Sequence, residues 1–151
     1  VEVWKFILEL SQDIGHRLFT FNKKATGVAI SVRDNELFTK QWQCKIPLST
    51  QSPSVIAREA FSLFEKNYSW KHPIRSITVR AINLVSLDYD EQISLFYDAE
   101  KSSRIEALDK AVEEIRSRYG YNAIKNATLL QNPKMPSHNS PKLIMPTGVP
   151  Q

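Results

Sequence analysis

Between Val3 and Leu18, apolar side chains recur at Val3, Ile7, Leu10, Ile14 and Leu18, with Trp4 and Leu8 beside them. That spacing is one face of a helix over residues 3–20. Asn22-Lys23-Lys24 breaks it, and the period then drops to two. Over 25–33, Thr26, Val28, Ile30 and Val32 fall on one side, and Ala25, Gly27, Ala29, Ser31 and Arg33 on the other. Asp34-Asn35 marks a turn, and a second strand is predicted from Glu36 to Ile46. In it Phe38, Lys40, Trp42, Cys44 and Ile46 share one face, and Thr39, Gln41, Gln43 and Lys45 the other. The two strands make a hairpin with one buried and one polar side.

Ser52-Pro53 supplies an N-cap followed by proline at the first helical position. The helix turns Ile56, Ala57, Ala60, Phe61, Phe64 and Tyr68 inward and stops before His72-Pro73. A third strand covers Ile74 to Val85, with Ile77, Val79 and Ala81 opposite Ser76, Thr78 and Arg80. Further on, Ser103-Arg104-Ile105-Glu106 has capping-box spacing. Ile105, Leu108, Val112, Ile115 and Tyr119 follow as a helical stripe, with Gly120 as its stop. A short strand is predicted from Ala123 to Leu130, and residues 131–151, with five prolines, read as a tail. The predicted class is α+β, an antiparallel β-sheet with helices packed on one face and a Pro-rich C-terminal tail.

With 151 residues and 42% hydrophobic content, the chain can form a core of its own. No apolar run approaches the ~20 residues that span a bilayer, so no membrane partner is expected. A lone cysteine, Cys44, excludes an internal disulfide framework and fits a reducing, cytoplasmic setting. The chain opens on Val1, which reads as a piece of a longer protein. Charge is uneven: residues 1–85 carry 12 Lys/Arg against 7 Asp/Glu, whereas residues 86–130 carry 6 against 9. A basic body followed by an acidic stretch suggests two different partners.

The basic body has a plausible surface in the predicted polar side of the sheet. Its first strand offers Gly27, Ala29, Ser31 and Arg33, which let another backbone come close. The other two strands offer hydroxyls, amides and cations, the groups that hydrogen-bond phosphate and sugar oxygens. No aromatic ring is among them, which argues against base stacking. Charge and alternation alone leave open whether this side holds a ligand or is simply hydrated. In the acidic stretch, Asp90-Glu91-Gln92-Ile93-Ser94-Leu95-Phe96-Tyr97-Asp98 sets a large apolar pair among carboxylates. Such a pair is either folded onto the domain or offered to a partner.

Three runs, "GHRLFTFNKKATGVAISVRDNELFTKQWQCKIPL", "PSVIAREAFSLFEKNYSWKHPIRSITVRAINLV" and "EQISLF", resemble in this order the C-terminal part of Y-family translesion DNA polymerases. The nearest branch is UmuC/ImpB/MucB/SamB, and the resemblance covers roughly residues 1–130. It implies a little-finger DNA-binding domain over 1–86, lacking its first strand, and a clamp-binding linker over 87–100. A C-terminal helix and short strand follow over 101–130, then the tail. Matched by position, the implied DNA contacts are Ser31, Arg33, Thr39, Lys40, Gln41, Ser76, Thr78 and Arg80. Lys40 fits the alternation only if a bulge re-aims it. Gln92, Ile93, Ser94, Leu95 and Phe96 are similar to the bacterial sliding-clamp pentapeptide, glutamine-x-(Ser/Asp)-leucine-phenylalanine. Leu95 and Phe96 would fill an apolar pocket there, and Gln92 would supply amide hydrogen bonds.

The partners implied are duplex primer-template DNA and the bacterial sliding clamp, in the setting of DNA damage and the SOS response. A missing first strand would leave a sheet edge open to self-association unless Ala123–Leu130 fills the gap. The parent would be a DNA-directed DNA polymerase using Mg2+. This part is expected to be non-catalytic, with no cofactor of its own. Asp88, Asp90 and Glu91 flank the pentapeptide and read as solvated loop charge. His16, His72 and His138 have no metal-ligand spacing with one another or with Cys44. From the residues alone, a stand-alone α+β protein-interaction adaptor with no nucleic-acid role remains the alternative.

Overall fold

The computed structural model describes residues 2–89 and 99–130. Helix α1 spans Glu2–Thr20, strand β1 Lys23–Asp34, strand β2 Thr39–Thr50, helix α2 Pro53–Asn67, strand β3 Ile74–Ser86 and helix α3 Ala99–Tyr119. Two short 3-10 turns, Tyr121–Ala123 and Ala127–Leu129, follow. The strands form one antiparallel sheet in the order β2-β1-β3, so that β1 is central. Helices α1 and α2 cover one side of it, as the α+β class requires.

The core lies between that side and the two helices. Val28, Ile30 and Val32 of β1 meet Ile7, Leu8 and Leu18 of α1 and Ile56, Ala57, Ala60 and Phe64 of α2. Each fully buried aliphatic side chain contributes roughly 1.5–3 kcal/mol. An aromatic chain extends the seam: Trp4 meets Phe61 edge-on at 5.3 Å, and Phe64 stacks on Tyr68 at 5.2 Å. The start of α2 is as predicted, with Ser52 as N-cap and Pro53 in the first turn. Tyr68 closes the helix through its N–H to the Phe64 carbonyl.

Several local expectations are corrected. The β1–β2 turn takes residues 35–38, because Asp34 Oδ1 accepts from the Glu36 and Phe38 amides at 3.0 and 2.9 Å. Strand β2 therefore begins at Thr39, and Phe38, expected inside, is 67% exposed. The alternation of β1 holds from Gly27 to Arg33 but slips before it. Ala25 is buried in the core, while the Thr26 hydroxyl donates to the Asn83 carbonyl. The slip coincides with a register shift between Ala25 and Gly27 against β2.

Helix α3 starts at Ala99, so Ser103 and Glu106 lie within it and form no capping box. Gly120 does end it, with φ of 94° and its N–H on the Arg116 carbonyl. The expected apolar stripe is divided. Ile105 and Val112 are partly covered, whereas Leu108, Ile115 and Tyr119 are exposed. The inward side of α3 is instead completed by Asp109, Glu113 and Arg116. Residues 123–130 hold no strand; Ala127–Leu129 is a 3-10 turn capped by Asn126, so the segment does not extend the sheet. Strands β2 and β3 are its edges among the described residues.

Candidate nucleic-acid interface

The side of the sheet away from α1 and α2 is built in rows by the strand register. Residues opposite one another in antiparallel strands point the same way. Arg33 is flanked by Thr39 and Ser76, and Ser31 by Gln41 and Thr78. Ala29 is flanked by Gln43 and Arg80, and Gly27 by Lys45 and Ile82. Four rows across three strands make a surface of roughly 10 by 20 Å. Among these twelve residues are three cations, Arg33, Lys45 and Arg80, and no carboxylate.

Small residues run down the middle. Ala29, paired with Gln43 of β2 and Arg80 of β3, is 1% exposed, and among the described residues no helix covers this side. At Gly27 a Cβ would stand 2.8 Å from Ile82 Cγ1 and 3.1 Å from the Cys44 carbonyl, so glycine is required for the strands to close. The result is a shallow trough with polar banks from Arg33 to Ala29, closed at Gly27 by the Ile82 side chain. Within it the Ser31 hydroxyl donates to Gln41 Oε1 at 3.4 Å. Arg33 Nε donates to the Leu37 carbonyl at 3.3 Å, which fixes the guanidinium at the turn end of the trough.

The structure thus brings together Ser31, Arg33, Thr39, Gln41, Ser76, Thr78 and Arg80, seven of the eight positions matched for DNA contact. Lys40 is the exception. It pairs with Val32, which faces Ile77, and so belongs to the helix-covered side. No register shift between β1 and β2 falls near it to re-aim it. It lines a hollow of about 280 Å³ with Phe38, Tyr68, Lys71 and His72 at the sheet's edge. Lys45, by contrast, was legible as an outward residue from alternation but lay outside the matched contacts, and it supplies the third cation.

Cys44 shares a row with Val28 and Ala81 on the helix side, and burial pushes its thiol pKa up. That suits a packing residue rather than a nucleophile. Among the described residues no group of three or more His, Cys, Asp or Glu is arranged to hold a metal. Nor is any helix there long and apolar enough to cross a membrane. The pentapeptide Gln92–Phe96 lies outside the described residues.

Comparison with known proteins bears on what such a surface serves. A family model described as the impB/mucB/samB family C-terminal domain matches residues 1–95. The chain is similar to DNA polymerase IV of Acetivibrio thermocellus, 38% identical over 126 residues, covering 83% of this chain and 32% of that protein. It is similar also to DNA polymerase IV of Clostridium acetobutylicum, 30% identical over 130 residues, covering 86% of this chain and 32% of that protein. A third relative, DNA polymerase IV of Clostridium kluyveri, is 29% identical over 140 residues, covering 85% and 33% respectively. The chain spans about a third of the length of these curated relatives.

Proposed function

Because this chain belongs to the impB/mucB/samB family C-terminal domain, we propose that it is the DNA-gripping little finger of an error-prone lesion-bypass polymerase. In this reading the trough holds primer-template duplex through its sugar-phosphate backbone, and Gln92–Phe96 tethers the polymerase to the sliding clamp. The observation that carries the first part is the sheet surface that no described helix covers, with three cations, no carboxylate and small central residues among its twelve positions. Hydroxyls and amides there suit phosphate and sugar oxygens, which position a duplex without reading its sequence.

The chemistry of synthesis belongs to the remainder of the parent protein, where carboxylates would hold Mg2+. The contribution of this part is binding. Each phosphate contact releases counterions, so affinity would fall steeply with salt. The clamp peptide would compensate by raising the local concentration of polymerase at the primer terminus.

Fluorescence anisotropy of labelled duplexes against the chain, over a salt series, tests the reading. Comparable affinity for unrelated sequences, with a steep negative dependence of log K on log salt, is expected. Absence of salt-sensitive duplex binding would leave the adaptor as the better account. A titration against bacterial sliding clamp tests the second surface independently.

A further inference from the structure

The turn joining β1 to β2 is fastened at several points. Asp34 Oδ1 accepts from the Glu36 and Phe38 amides, the Asp34 carbonyl accepts from the Leu37 amide at 3.2 Å, and the Asp34 amide donates to the Phe38 carbonyl at 3.0 Å. The Asn35 amide donates to the Pro73 carbonyl at 3.0 Å, which ties the turn to the connection between α2 and β3. Leu37 is held at φ of 72°, in the left-handed region that bulky side chains rarely occupy. Such a conformation persists where surrounding contacts over-determine it, and these places cluster at ligand sites. Here it leaves Phe38 pointing out, 67% exposed.

Phe38, Lys40, Tyr68 and Lys71 all line the hollow of about 280 Å³ described above. Its two carboxylates are engaged, Asp34 by the turn amides and Glu36 by His72 Nδ1 at 3.4 Å. The Tyr68 hydroxyl is fixed as well, donating to the His72 carbonyl at 2.7 Å. Lys40 and Lys71 are exposed and form no ion pair among the described residues. What the hollow offers a ligand is therefore two rings and two uncommitted ammonium groups. It also adjoins the trough. Thr39 sits in the last row there, beside Arg33, and its chain neighbours Phe38 and Lys40 both line the hollow. One residue separates the two surfaces.

We propose that this hollow is a site for an unpaired nucleotide of single-stranded DNA: a base lies against Phe38, and Lys40 and Lys71 take the flanking phosphates. The trough carries no aromatic ring and suits a paired backbone. The hollow carries the complementary set, rings and cations, which suits a single strand. A strand that leaves the duplex at Arg33 passes Thr39 and reaches it. Stacking tolerates any base, so the site adds grip without sequence preference. The position of the duplex rests on the reading given above, whereas the affinity of the hollow for a single strand does not.

Anisotropy of the chain against labelled oligothymidine, a blunt duplex, and the same duplex with a thymidine extension in each polarity tests the site. At least one extended duplex is expected to bind several-fold tighter than the blunt one. Phe38→Ala should lower oligothymidine affinity about five-fold or more, the loss of one stacking contact. Lys71→Ala should flatten the single-strand salt slope by about 0.7. Both side chains are exposed, so thermal melts should match the parent and blunt-duplex affinity should not change. Iodouracil in the extension should photocrosslink to Phe38 or Tyr68, as located by mass spectrometry. Equal affinity for blunt and extended duplexes, a gain that survives both substitutions, or crosslinks confined to other residues would overturn the site. Binding of polyglutamate in place of oligothymidine would overturn it in favour of an acidic peptide. Oligothymidine bound through Phe38 without any blunt-duplex binding would sink the trough reading and leave the hollow standing.

Discussion

Gly15 of α1 rests against Pro53, the first helical residue of α2, so closely that a Cβ added at position 15 would overlap the proline ring. Its distance to Pro53 Cδ would be 2.9 Å and to the Gln51 carbonyl 3.2 Å. Both neighbours are stiff, one a ring and the other backbone. The two helices therefore approach at a point where only hydrogen fits.

Gly15→Ala should consequently destabilise the domain, although alanine is favoured over glycine in a helix by about 1 kcal/mol. Overpacking of this type costs about 1–3 kcal/mol. Chemical denaturation checks it, and a variant as stable as the parent would show that the helices can slide apart freely.

Arg33→Ala combined with Arg80→Ala should weaken duplex binding equally across sequences. The salt slope should flatten by about 1.8, since each lost phosphate contact removes about 0.9. Anisotropy titrations at several salt concentrations measure both quantities. An unchanged slope would remove the trough from the account.

Lys45→Ala and Lys40→Ala make a matched pair on one strand. They lie on opposite sides of the sheet, Lys45 beside Gly27 and Lys40 beside Val32. The first should reduce duplex affinity and flatten the slope by about 0.9, whereas the second should leave both nearly unchanged. The reverse order would mean that DNA approaches by the edge rather than the uncovered side.

Leu95→Ala with Phe96→Ala should abolish clamp binding and leave the melting temperature within a degree or two of the parent. Core truncations of this size would lower it by many degrees. Calorimetry beside a clamp titration separates a peptide offered to a partner from one packed in the domain.

Asp109 offers a test through pH. Burial, partly offset by a hydrogen bond from Ser52 and by Arg116, raises its pKa. A carboxyl whose folded pKa is raised favours the folded state when protonated, and that contribution is lost as pH climbs from its unfolded value, about 3.9, through the folded one. At neutral pH the charged form is thus a net cost. Asp109→Asn should raise stability at pH 7, with the gain shrinking as pH falls towards 4. Thermal melts of both proteins across that range measure it.

The sheet was more legible in the sequence than the third helix, for a physical reason. From Gly27 to Arg33 alternation assigns each side chain because one side of the strand is pressed on an apolar layer and the other is not. For Lys40 the same local signal places the side chain on the helix-covered side, where the strand register puts it. Reading α3 from its apolar stripe assumed an apolar partner surface. The surface it actually meets presents Gln12 and His16, so Asp109, Glu113 and Arg116 turn inward and Leu108 and Tyr119 turn out. The residues at 123–130 carried no turn signal strong enough to foresee a cap at Asn126, and a strand there would have needed a neighbour.

The lowered middle of β1 at Ala29, a single methyl group between Gln43 and Arg80, has a bearing on tolerance. A double helix seated there would touch the protein by its outer rails and keep its nucleobases at arm's length. Chemical damage carried on a base would then pass over this platform unnoticed, and discrimination between sound and injured template would have to be made elsewhere in the parent enzyme.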